Sequence, residues 1–144
     1  MARQSRTFKL RLSPAGMDLL IDSHCHLIRS TRALLAWGTT LHVAVECLEK
    51  MPTATLLEQL ARVPEAGLAG QEEHHLGASR TLSETTARIV RRATTSAPGW
   101  PQPSISQIYL LALQHVVKTD GATICAIYER TKAGVLGDEC NKAD

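Results

Sequence analysis

Residues 17–48 read MDLLIDSHCHLIRSTRALLAWGTTLHVAVECL. Apolar or small residues recur at Met17, Leu20, Ile21, His24, Leu27, Ile28, Thr31, Leu34, Leu35, Gly38, Leu41, Val45 and Leu48. Steps of three and four place them on one helix face. The stretch predicts either one helix of about 34 residues, roughly 50 Å long, or two helices broken near Trp37, Gly38, Thr39 and Thr40. A glycine and two β-branched threonines favour a kink there. Over residues 17–36 the pattern predicts helix, with Leu20, Leu27, Leu34 and Leu35 buried and Asp22, Arg29 and Arg32 exposed.

Upstream, Arg6–Leu12 alternates: Phe8, Leu10 and Leu12 fall on one side of a strand, Thr7, Lys9 and Arg11 on the other. Ser13 then caps a helix with Pro14 in its first position, where the missing N–H costs nothing. A lone strand cannot satisfy its own backbone, so residues 6–12 must pair either with Ala122–Arg130 or with a partner chain.

Downstream, Pro52 closes the long element. Thr55 with Glu58 forms a capping-box pattern ahead of Leu56, Leu57, Leu60 and Val63. Pro64–Ser79, which contains Glu72, Glu73, His74 and His75, reads as a surface loop. Thr81 with Glu84 opens a further short helix carrying Leu82, Thr86, Ile89, Val90 and Ala93, with Arg88, Arg91 and Arg92 on its outer face. Ser96–Pro103 holds three prolines and marks a hinge. Ser104 with Gln107 caps a helix whose stripe is Ile105, Ile108, Tyr109, Ala112, Leu113, Val116 and Val117, stopped at Asp120 and Gly121. Ala122–Lys132 suits a helix through Ile124, Ile127 and Tyr128, while residues 123–128 also suit a buried strand; helix is preferred, ending near Gly134 and followed by a fraying tail. No internal repeat of about 20–50 residues is read.

The fold class that follows is mainly α: a bundle-like helical module with one N-terminal β-strand that pairs within the chain or with a partner. Residues 1–95 form the strand and helical segment, 96–104 the hinge, and 105–144 a C-terminal helical hairpin.

The chain of 144 residues is 44% hydrophobic and 21% charged, ordinary for a globular protein. That length excludes a large barrel enzyme. Aromatic residues are confined to Phe8, Trp37, Trp100, Tyr109 and Tyr128, so the core must be aliphatic. The first 32 residues carry six basic and two acidic side chains, a balance of +4 within a net +2. Cys25, Cys47, Cys125 and Cys140 lack close pairing and follow no secretory signal, and charged residues interrupt every apolar run. A cytoplasmic protein with reduced thiols and no membrane contact is expected.

Two short patterns carry chemistry. Leu19–Leu27, with His24 and His26 one residue apart, resembles the opening of TatD-like metal-dependent deoxyribonucleases. The resemblance implies a metal held by the two histidines and activating water. On a helix, however, residues two apart diverge by about 200°, and a closed barrel needs upwards of ~200 residues. Helical spacing instead makes His24 a hydrogen-bonded core residue and turns His26 to solvent. The second pattern is the basic strand followed by a long helix, in which Phe8, Lys9, Leu10, Arg11 and Leu12 precede His24, Ile28, Arg32, Leu35, Trp37 and Leu41. It resembles the N-terminus of type V CRISPR RNA-guided nucleases and their transposon-encoded TnpB relatives. That resemblance implies a wedge-type strand gripping guide RNA and helices of a recognition lobe.

Lys9 and Arg11 project from one strand face, where a row of cations suits backbone phosphates. Scarce aromatics favour duplex or structured RNA over stacked single strands. The sequence thus points to a non-catalytic nucleic-acid-binding module without metal or cofactor, using Lys9, Arg11, Arg29, Arg32, Arg91 and Arg92. Its expected partners are structured RNA or a guide–target duplex, together with other protein chains. Two alternatives remain open: a metal-dependent hydrolase fragment using His24 and His26, and a structural helical subunit.

Overall fold

The computed structural model describes residues 7–62, 67–77 and 79–143; Arg3, Arg6 and Val63 lie outside them. In chain order the elements are β1 (Thr7–Leu12), α1 (Pro14–Thr31), α2 (Trp37–Glu49), α3 (Thr53–Ala61), β2 (Glu72–Gly77), α4 (Arg80–Ser96), α5 (Ile105–Val116) and α6 (Gly121–Ala143). The molecule is mainly helical with a two-stranded antiparallel sheet that includes the N-terminal strand.

Two serines open corresponding helices. Ser13 Oγ accepts the Gly16 N–H at 3.1 Å, and Ser79 Oγ accepts the Leu82 N–H at 3.0 Å. Each satisfies one of the orphan donors at a helix start. Each also stands at the same place in a succession of elements, since strand, helix, helix occurs as β1-α1-α2 and again as β2-α4-α5. The caps set the offset between the copies at 79 minus 13, or 66 residues. The chain therefore contains a structural repeat that its residue pattern does not display.

The copies interlock. β1 pairs antiparallel with β2 from Thr7 opposite Gly77 to Leu12 opposite Glu72. α2 and α5 form the most extensive helix pair, while α1 packs on α5 and α4 on α2, so the first helix of each copy lies against the second helix of the other. A helix enclosed this way must be apolar nearly all round. In α2 the run Thr40–Val45 is buried without interruption, as is Ile108–Leu113 in α5. Leu10, Leu12 and Leu76 join the same core from the inner face of the ribbon. Ser23 Oγ donates to Leu113 O at 3.2 Å, tying α1 to α5. α6 lies along α1 and α2 and buries Ile124 and Ile127.

Several expectations change. The strand partner is neither Ala122–Arg130, which is helical, nor another chain; it is β2, within the segment read as a loop. Residues 14–49 form two helices, but the break falls at 32–36, ahead of Trp37. Arg32 ends α1 in the left-handed region (φ 57°), with its N–H bonded to Ile28 O at 2.8 Å. Leu34 consequently sits in the connection, 96% exposed rather than buried, and Leu35 is only partly buried. Gly38 is required for another reason: a Cβ there would lie 2.5 Å from Gly77 O, so only glycine lets α2 start against the end of β2.

The Ser104–Gln107 capping box forms as expected. Those at Thr55 and Thr81 do not, because α3 starts from Pro52 without a side-chain cap and α4 from Ser79. α6 continues past Gly134. The proline-rich stretch joins α4 to α5 inside the second copy, and α5 and α6 pack on the helices of the first. No described helix is long and apolar enough to cross a membrane.

Candidate nucleic-acid interface

Alternation along both strands gives the ribbon two distinct faces. Toward the helices lie Leu10, Leu12 and Leu76, buried, and Phe8 and His74, partly buried. Phe8 meets Tyr109 of α5 edge to face, 4.8 Å between ring centres. Outward, with no layer over them among the described residues, stand Thr7, Lys9 and Arg11 from β1 and Glu73, His75 and Gly77 from β2. The 66-residue offset makes His75 the counterpart of Lys9, and these two are also direct cross-strand partners. The pseudo-twofold axis therefore passes between Lys9 and His75.

The cations on this face are held in place. Arg11 is opposite Glu73 and reaches its carboxylate at 3.0 and 3.1 Å, while Lys9 Nζ lies 3.5 Å from the same group. Lys9 foremost, with Arg11, holds the Glu73 carboxyl below its ordinary range. One acid thus orients two bases on an exposed surface, where either can exchange its partner for another anion at little cost.

The remaining sequence-derived cations divide. Arg32 sits in the connection that leads into α2, no more than about 20 Å of extended chain from the Gly38 that abuts the ribbon. Arg29 is exposed one turn before it. The N-terminus of α2 carries no side-chain cap, since its N-cap is Ala36; the Thr39 and Thr40 N–H groups bond Ala36 O at 3.1 and 3.2 Å, and the positive end of the helix dipole lies beside Gly77. Arg91 is exposed on α4. Arg92 is committed elsewhere: its guanidinium donates to Glu49 O at 3.1 Å and Met51 O at 3.0 Å, capping the carbonyl end of α2. Arg88 beside it grips Glu49 through two hydrogen bonds of 2.7 and 3.2 Å.

The two close histidines diverge. His24 stacks on Trp37 with ring centres 3.9 Å apart and bonds Thr40 through Nδ1 at 2.7 Å, joining α1 to α2. His26 Nε2 donates to Thr119 O at 2.7 Å, joining α1 to the turn before α6, so it is not simply turned to solvent. Burial lowers the His24 pKa and so favours the neutral ring. Among the described residues, no three His, Cys, Asp or Glu groups gather as a metal set. Burial pushes the Cys47 thiol up to about 12, removing it as a thiolate nucleophile at neutral pH.

Sequence reasoning placed Lys9 and Arg11 on the polar side of a strand, where the structure has them, and did not read Glu73 and His75 as their cross-strand neighbours. The one available signal was an acidic and histidine-rich segment in a chain whose lone strand was basic, a charge match across an antiparallel pair. No protein-family model, curated protein or solved structure matches the chain.

Proposed function

We propose that the chain is a non-catalytic double-stranded DNA-binding module that lays its β1–β2 ribbon in the major groove. The observation that carries this reading is the outer face of the ribbon, exposed among the described residues and presenting Thr7, Lys9, Arg11, Glu73 and His75 in two registered rows. Strands about 4.8 Å apart make a ribbon that the major groove, about 12 Å wide, admits. Arg and Lys suit the O6 and N7 acceptors of guanine, Glu accepts from the cytosine amine, and Thr serves either role. The uncapped start of α2 beside the ribbon suits a phosphate of the flanking backbone, with Arg29 and Arg32 as further phosphate partners.

Duplex DNA is favoured over structured RNA because the major groove of A-form RNA is too deep and narrow for such a ribbon. The pseudo-twofold axis lets one chain present two related but unequal half-surfaces, which suits a short, imperfectly inverted DNA site. Since β1 finds its partner within the chain, a second chain is no longer required to complete the strand.

Selection from a randomised duplex pool, followed by fluorescence anisotropy, tests the proposal. The wild type should enrich a short site. Lys9→Ala with Arg11→Ala should lose about 1–3 kcal/mol of discrimination per base pair read. Arg32→Ala should weaken all duplexes alike and reduce the salt slope by about one. A chain that retains no duplex DNA at low salt, or whose selectivity survives the double variant, overturns the reading; tighter binding to structured RNA does the same.

A further inference from the structure

A half-open groove of about 700 Å³ runs between α4, α5 and the start of β1. Phe8, Val90, Ile105 and Tyr109 supply apolar walls, and threonine hydroxyls edge them. Its one charged lining residue is Arg91. The arginines of α4 explain why this charge is unspent. Arg88 is bound to the Glu49 carboxylate and Arg92 to the carbonyls of Glu49 and Met51 where α2 ends, whereas Arg91 has no hydrogen-bond or ion-pair partner among the described residues.

Volume and chemistry together define an occupant. Small-molecule sites span about 300–1,000 Å³ and are mostly apolar, with a few polar groups that fix orientation. Here the one charged group among several neutral polar ones is a cation at the edge of an aliphatic and aromatic trough. The geometry points to a binding site for a small amphipathic monoanion, its carboxylate on Arg91 and its apolar body against Phe8, Val90, Ile105 and Tyr109.

The site adjoins the ribbon directly. Thr7 lines the groove and also stands on the outer ribbon face, and Phe8 lies between Thr7 and Lys9 in β1. An occupant resting on Phe8 bears on the strand on which Lys9 and Arg11 are spaced. The ligand therefore modulates duplex binding, a consequence that rests on the proposed DNA reading while the site itself does not. By linkage, any factor by which the ligand changes DNA affinity is the factor by which DNA changes ligand affinity.

Calorimetric titration of the full chain with decanoate, and with neutral decanol as control, tests the site. Decanoate should bind saturably at one site per chain. Arg91→Gln should weaken decanoate at least fivefold while leaving decanol unchanged, and Arg91→Lys should restore part of the loss. Ala87→Phe, on an exposed position of α4 that lines the groove, should block both probes. Absence of saturable decanoate binding, or binding indifferent to Arg91→Gln and Ala87→Phe, overturns the site whether or not the chain binds DNA. With the site established, a DNA affinity that saturating decanoate changes less than twofold overturns the coupling. Failure of the wild type to bind any duplex sinks the DNA reading and leaves the site standing.

Discussion

The two strand-helix-helix copies share a topology and divide the work between them. In the first, β1 is a regular alternating strand with two exposed cations, and α2 begins without a side-chain cap. In the second, β2 contributes two acids and two histidines with only Leu76 fully inward, and α5 begins with a complete capping box. The first copy thus supplies charge and an open helix end, and the second supplies the counter-ion and a closed one. A single chain can differentiate its halves in this way. A homodimer with the same frame cannot, because every substitution appears twice.

The comparison breaks most readily at the shared core. Leu41→Ala in α2 and Leu110→Ala in α5, both fully buried, should each cost about 2–5 kcal/mol. Urea denaturation should show one cooperative transition for both variants. Separate transitions for the two copies would mean that they do not form one folding unit.

The helix starts sharpen it further. Ser104→Ala removes the cap of α5 and should cost about 1 kcal/mol, read as a lower denaturation midpoint. Ala36→Asp adds the cap that α2 lacks and should stabilise by up to about 1 kcal/mol, yet weaken duplex binding because a carboxylate then occupies the phosphate position. Greater stability together with unchanged DNA affinity would remove α2 from the interface.

Glu73→Gln tests the division of charge. Releasing Lys9 and Arg11 should raise affinity for arbitrary duplexes and steepen the salt dependence by about one to two units of slope, while narrowing the gap between selected and random sites. An unchanged salt slope in anisotropy titrations would show that Glu73 does not restrain the two cations.

The smallest expected effect is a pH dependence spread over both copies. His24 and His42 in the first and His115 in the second have pKa values lowered by burial, with Glu46 opposing the shift at His42 and Lys118 adding to it at His115. The unfolded chain then binds protons more readily than the folded one. Stability is therefore full above about pH 6.5, the ordinary histidine value, and declines as pH falls below it. Denaturation midpoints at pH 7.5 and 5.5 should differ in that direction, and His42→Asn should shrink the difference. A midpoint that rises on acidification would reverse the assignment.

What the sequence determined on its own is local. The helix stripes, the alternation of Phe8, Leu10 and Leu12, the Ser13 cap and the Ser104 box depend on residues within a few positions of one another, and propensity and spacing report such interactions directly. Lys9 and Arg11 were legible for the same reason, as the polar side of a strand. What only the tertiary structure decided is everything that depends on distant partners. β2 has no apolar alternation and is a strand because β1 lies beside it; the repeat appears only once the two strands pair and α2 meets α5. Arg92 reads as a surface cation until the end of α2 arrives at its guanidinium, and Glu73 reads as loop solvation until Arg11 stands opposite. The spacing of apolar side chains encodes which face of an element is buried, but not which other element buries it. That choice belongs to pairings across some 66 residues of chain, whose free energy appears only when both partners are in place.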